Sequence, residues 1–238
     1  MQITCSAVLF DLDGVLIDST PAVARVWRQW AIERGFNPEE VVHKAHGRPS
    51  ISTIRDYLPD ADHEAENLVV ERREIEDTAG VVPLPGTLHF LNQLPPDRWA
   101  IVTSCTRALA EVRIRAAGLP IPRYFLTSND ITKGKPDPEP YIKGASLLDL
   151  TPPECVVVED VSAGIRSGKS AGARVIAFRS TSQDSELLSA GADWILDNCG
   201  DLSLIASQGN KLILQFEENS NAGITVPENS GDKFQRML

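Results

Sequence analysis

Two aspartates stand two positions apart, Asp11 and Asp13 in FDLDG, directly after the short apolar run AVLF at 7–10. On extended backbone, residues i and i+2 project to the same side, so the two carboxylates converge, and Gly14 lets the chain turn sharply after them. Converging carboxylates repel one another unless a cation or a shared proton lies between them, and a hard divalent ion such as Mg²⁺ suits oxygen donors. A second acidic pair, Glu159 and Asp160, ends the run CVVV and precedes the helix-like SAGIRSGKSAG. Each pair alone also fits a plainer role, the first as an acidic loop that solubilises a strand end, the second as a helix N-cap. If the strands carrying them are neighbours, three or four carboxylates surround one point, and such a cluster needs a metal to be tolerated.

Ser104 ends the run WAIVTS, preceded by Thr103 and followed by Thr106 and the helical ALAEVRIRAA. A hydroxyl beside the free N–H groups of a helix start can cradle a phosphate; an ordinary Ser or Thr cap is the other reading. Lys135 sits in GKPDPEPY, where Pro136, Pro138 and Pro140 stiffen the loop that aims its ammonium. Lys133 competes for the same role, but Pro136 restricts Lys135, and not Lys133, to extended backbone.

These stations need a scaffold. Six short β-rich runs alternate with amphipathic stretches: AVLF (7–10), WAIVTS (99–104), YFLT (124–127), CVVVE (155–159), ARVIAF (173–178) and DWIL (193–196). Runs apolar at successive positions suit strands covered on both faces, which predicts an α/β fold with a Rossmann-like parallel sheet. Every strand of such a sheet delivers its C-terminal end to one rim, where ligands bind. Residues 11–98 separate the first two runs, far more than one crossover needs. Pro21 opens a helical pattern with Val23, Val26, Trp27, Trp30 and Ala31 on one stripe, and further helical stretches follow at 50–58 and 62–78. The expected organisation is therefore a discontinuous catalytic core (1–16 and 83–208), a helical cap domain (17–82) whose packing uses Trp27 and Trp30, and a polar C-terminal extension (209–238).

Composition narrows the function. With 42% hydrophobic, 6% aromatic and 24% charged residues in 238, the chain is of ordinary globular type, neither collagen-like nor wholly disordered. Lys and Arg number 23 against 33 Asp and Glu, a formal charge of −10, and an acidic surface repels nucleic acid and anionic lipid. A small phosphorylated metabolite remains allowed, because a local donor cluster or a metal can hold it. Cys5, Cys105, Cys155 and Cys199 lie far apart, which suggests neither a zinc site nor a disulfide framework. The opening MQITCSAVLF reads as neither signal nor membrane span, so a cytoplasmic setting is expected; oligomeric state is left open, a monomer being compatible.

In order and spacing, DLDGVLIDST, VTSCT, GKPDPEPY and VVVEDVSAGIRSGKSAG resemble the four motifs of the haloacid dehalogenase superfamily, in the branch with a helical cap between the first two motifs. The likeness extends to about residue 208, and VVPLPG, TSCTR and EDVSAGI look most like small sugar-phosphate and polyol-phosphate phosphatases. The resemblance implies that Asp11 is the nucleophile that becomes an aspartyl phosphate and that Asp13 is the acid and base. It implies Mg²⁺ held by Asp11, the Asp13 carbonyl and Asp160, with Glu159 nearby, and Ser104, Thr103 and Lys135 around the phosphoryl oxygens. Because a dehalogenase needs neither Mg²⁺ nor Asp13, phosphoester chemistry is favoured over carbon–halogen cleavage.

Selectivity in this superfamily comes from the cap, where Arg48 in HGRPSISTI could reach substrate hydroxyls or a distal phosphate. It could equally be a solvated surface arginine, and His46 reads as a local structural residue. A hexose-phosphate phosphomutase shares all four motifs and is the main alternative; a non-catalytic phospho-acceptor module needs neither a cap nor Asp13. A mutase must hold a second phosphate in the cap. Residues 17–82 contain one lysine, Lys44, and arginines including Arg48, Arg72 and Arg73, amid Glu64, Glu66, Glu71, Glu74 and Glu76, which favours hydrolysis.

Overall fold

Continuous apolar runs are buried only where both faces of a strand are covered, and the computed structural model, which describes residues 1–45 and 48–217, sets six of them side by side. From the N-terminus, β1 (Gln2–Cys5) and β2 (Ala7–Phe10) lead to the short β3 (Ile17–Asp18). Four helices follow: α1 (Thr20–Glu33), α2 (Pro38–Ala45), α3 (Ser50–Tyr57) and α4 (His63–Glu76). The chain returns through β4 (Val82–Pro83) to α5 (Thr87–Gln93), β5 (Trp99–Val102), α6 (Arg107–Ala116) and β6 (Phe125–Leu126). Then come α7 (Glu139–Ser146), β7 (Cys155–Glu159), α8 (Ser162–Ser170), β8 (Arg174–Phe178), α9 (Asp184–Ala190) and β9 (Trp194–Leu196). A hairpin of β10 (Ser203–Gln208) and β11 (Lys211–Gln215) follows.

The main sheet is parallel throughout, in the order β6-β5-β2-β7-β8-β9. Alternate residues of its strands go to opposite faces. Val8, Phe10, Val156 and Val158 pack with α5 and α6, while Leu9, Val102, Val157 and Val175 pack with α7, α8 and α9. Full burial of each such side chain contributes about 1.5–3 kcal/mol, which is why the runs read as apolar at every position. This is the α/β, Rossmann-like sheet that the run pattern predicts.

Between the paired β3 and β4, helices α1 to α4 gather around their own core of Val26, Trp27, Trp30, Ala31, Val41, Ile54 and Val70. Trp27 and Trp30 meet edge to face, with ring centroids 5.3 Å apart. Among the described residues no helix is long and apolar enough to cross a membrane.

One boundary needs correction. The extension expected from residue 209 does not begin there: β11 lies between β1 and β10 in a three-stranded antiparallel sheet, with Gln2 opposite Gln215 and Cys5 opposite Leu212. Leu212, Leu214 and Phe216 alternate into the core. The period-2 signal was present in KLILQF, but the polar NSNAG and PENSG beyond it dominated the composition of the whole segment. Residues 218–238, the rest of that expected extension, lie outside the described residues.

Candidate active site

β5, β2 and β7 are adjacent at the centre of the sheet, so the residues that follow or end them meet at one rim. Asp11 leaves β2 with its N–H still bonded to the Val158 carbonyl at 3.0 Å, which holds it beside β7. Glu159 is the last residue of β7 and is fully buried; Asp160 follows it and is also buried. Lys135 enters from the loop before α7, and its ammonium lies 2.6 Å from Asp11 Oδ1, 2.6 Å from Glu159 Oε1 and 3.0 Å from the Val102 carbonyl oxygen. The competing Lys133 is 72% exposed and faces Asp137, so Lys135 is the cation of this site.

The electrostatics are those of a cluster with too much negative charge. Burial pushes the Asp11 carboxyl up to about 7, Glu159 and Asp13 add to the shift, and Lys135 only partly opposes it. Burial, then Glu159 and Asp11, also hold Asp160 well above the usual carboxylate range. Three buried carboxylates face one ammonium, and their oxygens from Asp11, Glu159 and Asp160 come within 4.8 Å of one another. An all-oxygen donor set of this charge fits a hard divalent cation. Glu159 differs from the other two. Its Oε1 also accepts the Tyr141 hydroxyl at 2.7 Å and its Oε2 accepts the Asp160 N–H at 3.0 Å, so protein donors already occupy both oxygens.

Two glycines make room for these carboxylates. Gly14, at φ +80°, would place a Cβ 2.0 Å from Asp160 Oδ2, and Gly164 on α8 would place one 1.8 Å from Glu159 Oε1. Thr181 donates to the Asp160 carboxylate and Ser180 to the Gly14 carbonyl, which fixes this loop pair. Gly14→Ala is therefore expected to displace Asp160 and to weaken divalent-cation binding at this cluster by about 10-fold or more, the scale of losing a ligand's support. Calorimetric Mg²⁺ titration checks this, and an unchanged affinity would rule out the close approach.

Asp13 is held on the opposite side. Its Oδ1 accepts Ser19 Oγ at 2.5 Å and Arg113 Nη1 at 3.0 Å, and its Oδ2 accepts the Cys105 thiol at 3.1 Å. Burial, with Asp13 adding, keeps the Cys105 thiol well above its ordinary pKa, so it stays a donor. The other arm of Arg113 reaches Glu74 on α4 at 3.3 Å, and burial pushes that carboxyl up to about 7.

A cavity of about 360 Å³ opens between this rim and the helices α1 to α4. Asp11, Asp13, Arg48, Thr103, Ser104, Lys135, Glu159 and Asp160 all line it. Ser104 is exposed to it, whereas Thr103 is buried with its hydroxyl oxygen accepting the Cys105 N–H at 3.1 Å. Arg48 lies at the cap edge with both terminal nitrogens 3.1 Å from Asp56 Oδ2. His46 and Gly47 lie outside the described residues. Sequence reasoning did not single out Arg113, Cys105 or Tyr141 for this site. A signal for Arg113 existed: it occupies the buried stripe of α6 with Leu109, Ala110 and Ile114, where an arginine needs a partner.

Residues 5–172 match the haloacid dehalogenase-like hydrolase family. The chain is 40% identical to hexitol phosphatase A of Escherichia coli over 89% of its own length and 99% of that protein. It is 35% identical to glycerol-1-phosphate phosphohydrolase 2 of Saccharomyces cerevisiae, covering 83% of this chain and 84% of the other. In fold it resembles the crystal structure of CbbY from Rhodobacter sphaeroides in complex with phosphate, with a TM-score of 0.72 at 23% identity over 83% of this chain and 96% of that one.

Proposed function

The chain belongs to the haloacid dehalogenase-like hydrolases, and from that premise we propose that it is a cytoplasmic, Mg²⁺-dependent phosphatase that hydrolyses a small sugar or polyol phosphate through an aspartyl phosphate on Asp11. One observation carries the reading: Lys135 lies 2.6 Å from Asp11 in a buried three-carboxylate cluster that opens on a substrate-sized cavity. The relatives named for hexitol and glycerol-1-phosphate support the substrate class.

Asp11 and Asp160, with the Asp13 carbonyl, would hold Mg²⁺, which when bound supplies charge neutralisation between Asp11 and the anionic phosphoryl group. Glu159 orients Lys135 and the Asp160 backbone through the contacts its two oxygens make. Lys135 and Ser104 hold the transferring phosphoryl oxygens, and Thr103 shapes the loop that presents Ser104. Asp11 attacks phosphorus while Asp13 gives a proton to the leaving oxygen. Asp13 then takes a proton from the water that cleaves the aspartyl phosphate.

The cap contacts support hydrolysis over phosphomutase action. Lys44 and Arg48 both contact Asp56, and Arg73 pairs with Glu33, so each of these cations already has a carboxylate beside it. The cap wall of the cavity carries Glu71 as well as Arg48, while the Glu74 carboxylate is taken up by Arg113. Such a wall suits neutral hydroxyls better than a second phosphate. A panel of phosphorylated metabolites assayed for phosphate release tests the reading, and a hexose 1-phosphate should give free phosphate with little hexose 6-phosphate. Isomerisation without phosphate release would reverse the choice.

The two downstream aspartates should separate. Asp160→Ala is expected to raise the Mg²⁺ requirement, whereas Asp13→Asn should leave it nearly unchanged and slow turnover by about 10²-fold or more. Mg²⁺ titration of both variants decides this; an Asp13→Asn protein whose one defect is a raised Mg²⁺ requirement contradicts the assignment.

A further inference from the structure

The side chain of Arg113 is 5% exposed, yet it belongs to the apolar stripe of α6. Burying a guanidinium is costly unless it is paired, and a Leu or Met of similar size would fill the space without that cost. The pairing is specific. The planar fork donates Nη1 to Asp13 Oδ1 and sets Nη2 3.3 Å from Glu74 Oε2 as an ion pair, a bridge between core and cap that a lysine's point charge cannot make in the same way.

The two oxygens of Asp13 are treated unequally. Oδ1 carries two strong donors, Ser19 and Arg113, while among the described residues Oδ2 receives the Cys105 thiol, a weak donor. We propose that Arg113 is a positioning residue for Asp13: it clamps Oδ1 and dedicates Oδ2 to proton exchange with the substrate. This rests on the phosphatase reading above. In the first step the bond from an Asp11 oxygen to phosphorus forms, the bond from phosphorus to the sugar oxygen breaks, and the proton on Asp13 Oδ2 goes to that oxygen. In the second step water attacks phosphorus, its proton goes to Asp13 Oδ2, and the Asp11–phosphorus bond breaks.

The test uses a leaving group that needs no proton. With saturating Mg²⁺ and 4-nitrophenyl phosphate, Arg113→Met combined with Glu74→Gln, which removes one charge of each sign, should release the first equivalent of nitrophenolate within about 3-fold of the wild-type rate. With a polyol phosphate the same protein should lose about 10²-fold in kcat, the scale of a displaced general acid and base, with KM within about 3-fold. Added to Asp13→Asn, the double change should cost no more than about 2-fold further, because groups acting through one carboxyl are not additive. Equal loss of nitrophenolate release, or losses that multiply on the Asp13→Asn background, would overturn the proposal and leave Arg113 a structural tie. Arg113→Lys, which keeps one charge, is read against the same criteria if the double variant does not fold. A wild-type protein that releases neither nitrophenolate nor, from the polyol phosphate, free phosphate would overturn the phosphatase reading and this proposal with it.

Discussion

Asp11→Asn is expected to lower kcat by about 10⁴-fold or more, the scale of a lost nucleophile, while the melting temperature holds or rises slightly. The carboxamide keeps the shape of the side chain and an oxygen for Lys135, but it cannot attack phosphorus. Folding does not depend on the lost charge, because the Asp11 carboxylate is destabilised where it stands, its pKa pushed up to about 7 by burial and by Glu159 and Asp13. Phosphate release and thermal melts measured side by side separate the two effects. Acid-quenched wild-type protein should also carry a covalent phosphoryl group that Asp11→Asn lacks. Unimpaired turnover in the variant would end the aspartyl-phosphate mechanism.

Lys135→Met should damage both activity and fold. It leaves Asp11, Glu159 and Asp160 buried together without their ammonium, and removing one partner of a buried ion pair costs about 3–5 kcal/mol. Loss of the phosphoryl contact proposed for Lys135 should lower kcat by about 10²–10³-fold, as for an anion-stabilising donor. The Mg²⁺ proposed for this cluster would replace part of the missing positive charge, so it should raise the melting temperature of the variant more than that of the wild type. Acid should help for the same reason. Asp11 has a folded-state pKa raised from 3.8 to about 7, so its stability contribution is greatest below the lower value and declines as pH rises through the higher one. The deficit of Lys135→Met should therefore shrink as pH falls from 8 toward 5. Melting curves across pH and Mg²⁺ concentration test this, and a variant that melts like the wild type at pH 8 without metal would refute it.

The strands were legible in the sequence because both of their faces are buried, and that condition writes itself as unbroken apolar runs such as CVVV. Helix α1 was legible by its apolar stripe at helical period, and α3 and α4 fall on the helical stretches expected at 50–58 and 62–78. The hairpin of β10 and β11 was masked because its alternating half-buried pattern is short and borders a polar segment, and β1 was masked because its partner is more than two hundred residues away. Among the site residues, Asp11, Asp13, Lys135, Glu159 and Asp160 announced themselves by type, spacing and the turn residues beside them. Arg113 and Tyr141 did not, since each lies inside an amphipathic helix and takes its meaning from a carboxylate on another element.

Which residues could do chemistry, and that a parallel sheet would carry them to strand ends, was readable along the chain, because side-chain type and local periodicity are properties of neighbours in sequence. Packing alone set β2 between β5 and β7, joined Lys135 to Glu159 as well as to Asp11, and left Glu159 with both oxygens on protein donors. It also decided that Arg113 joins Asp13 to Glu74. Strand order, burial and the pairing of distant charges depend on which surfaces pack together, and the energy of a buried carboxylate is set by what surrounds it in space rather than by what precedes it in the chain.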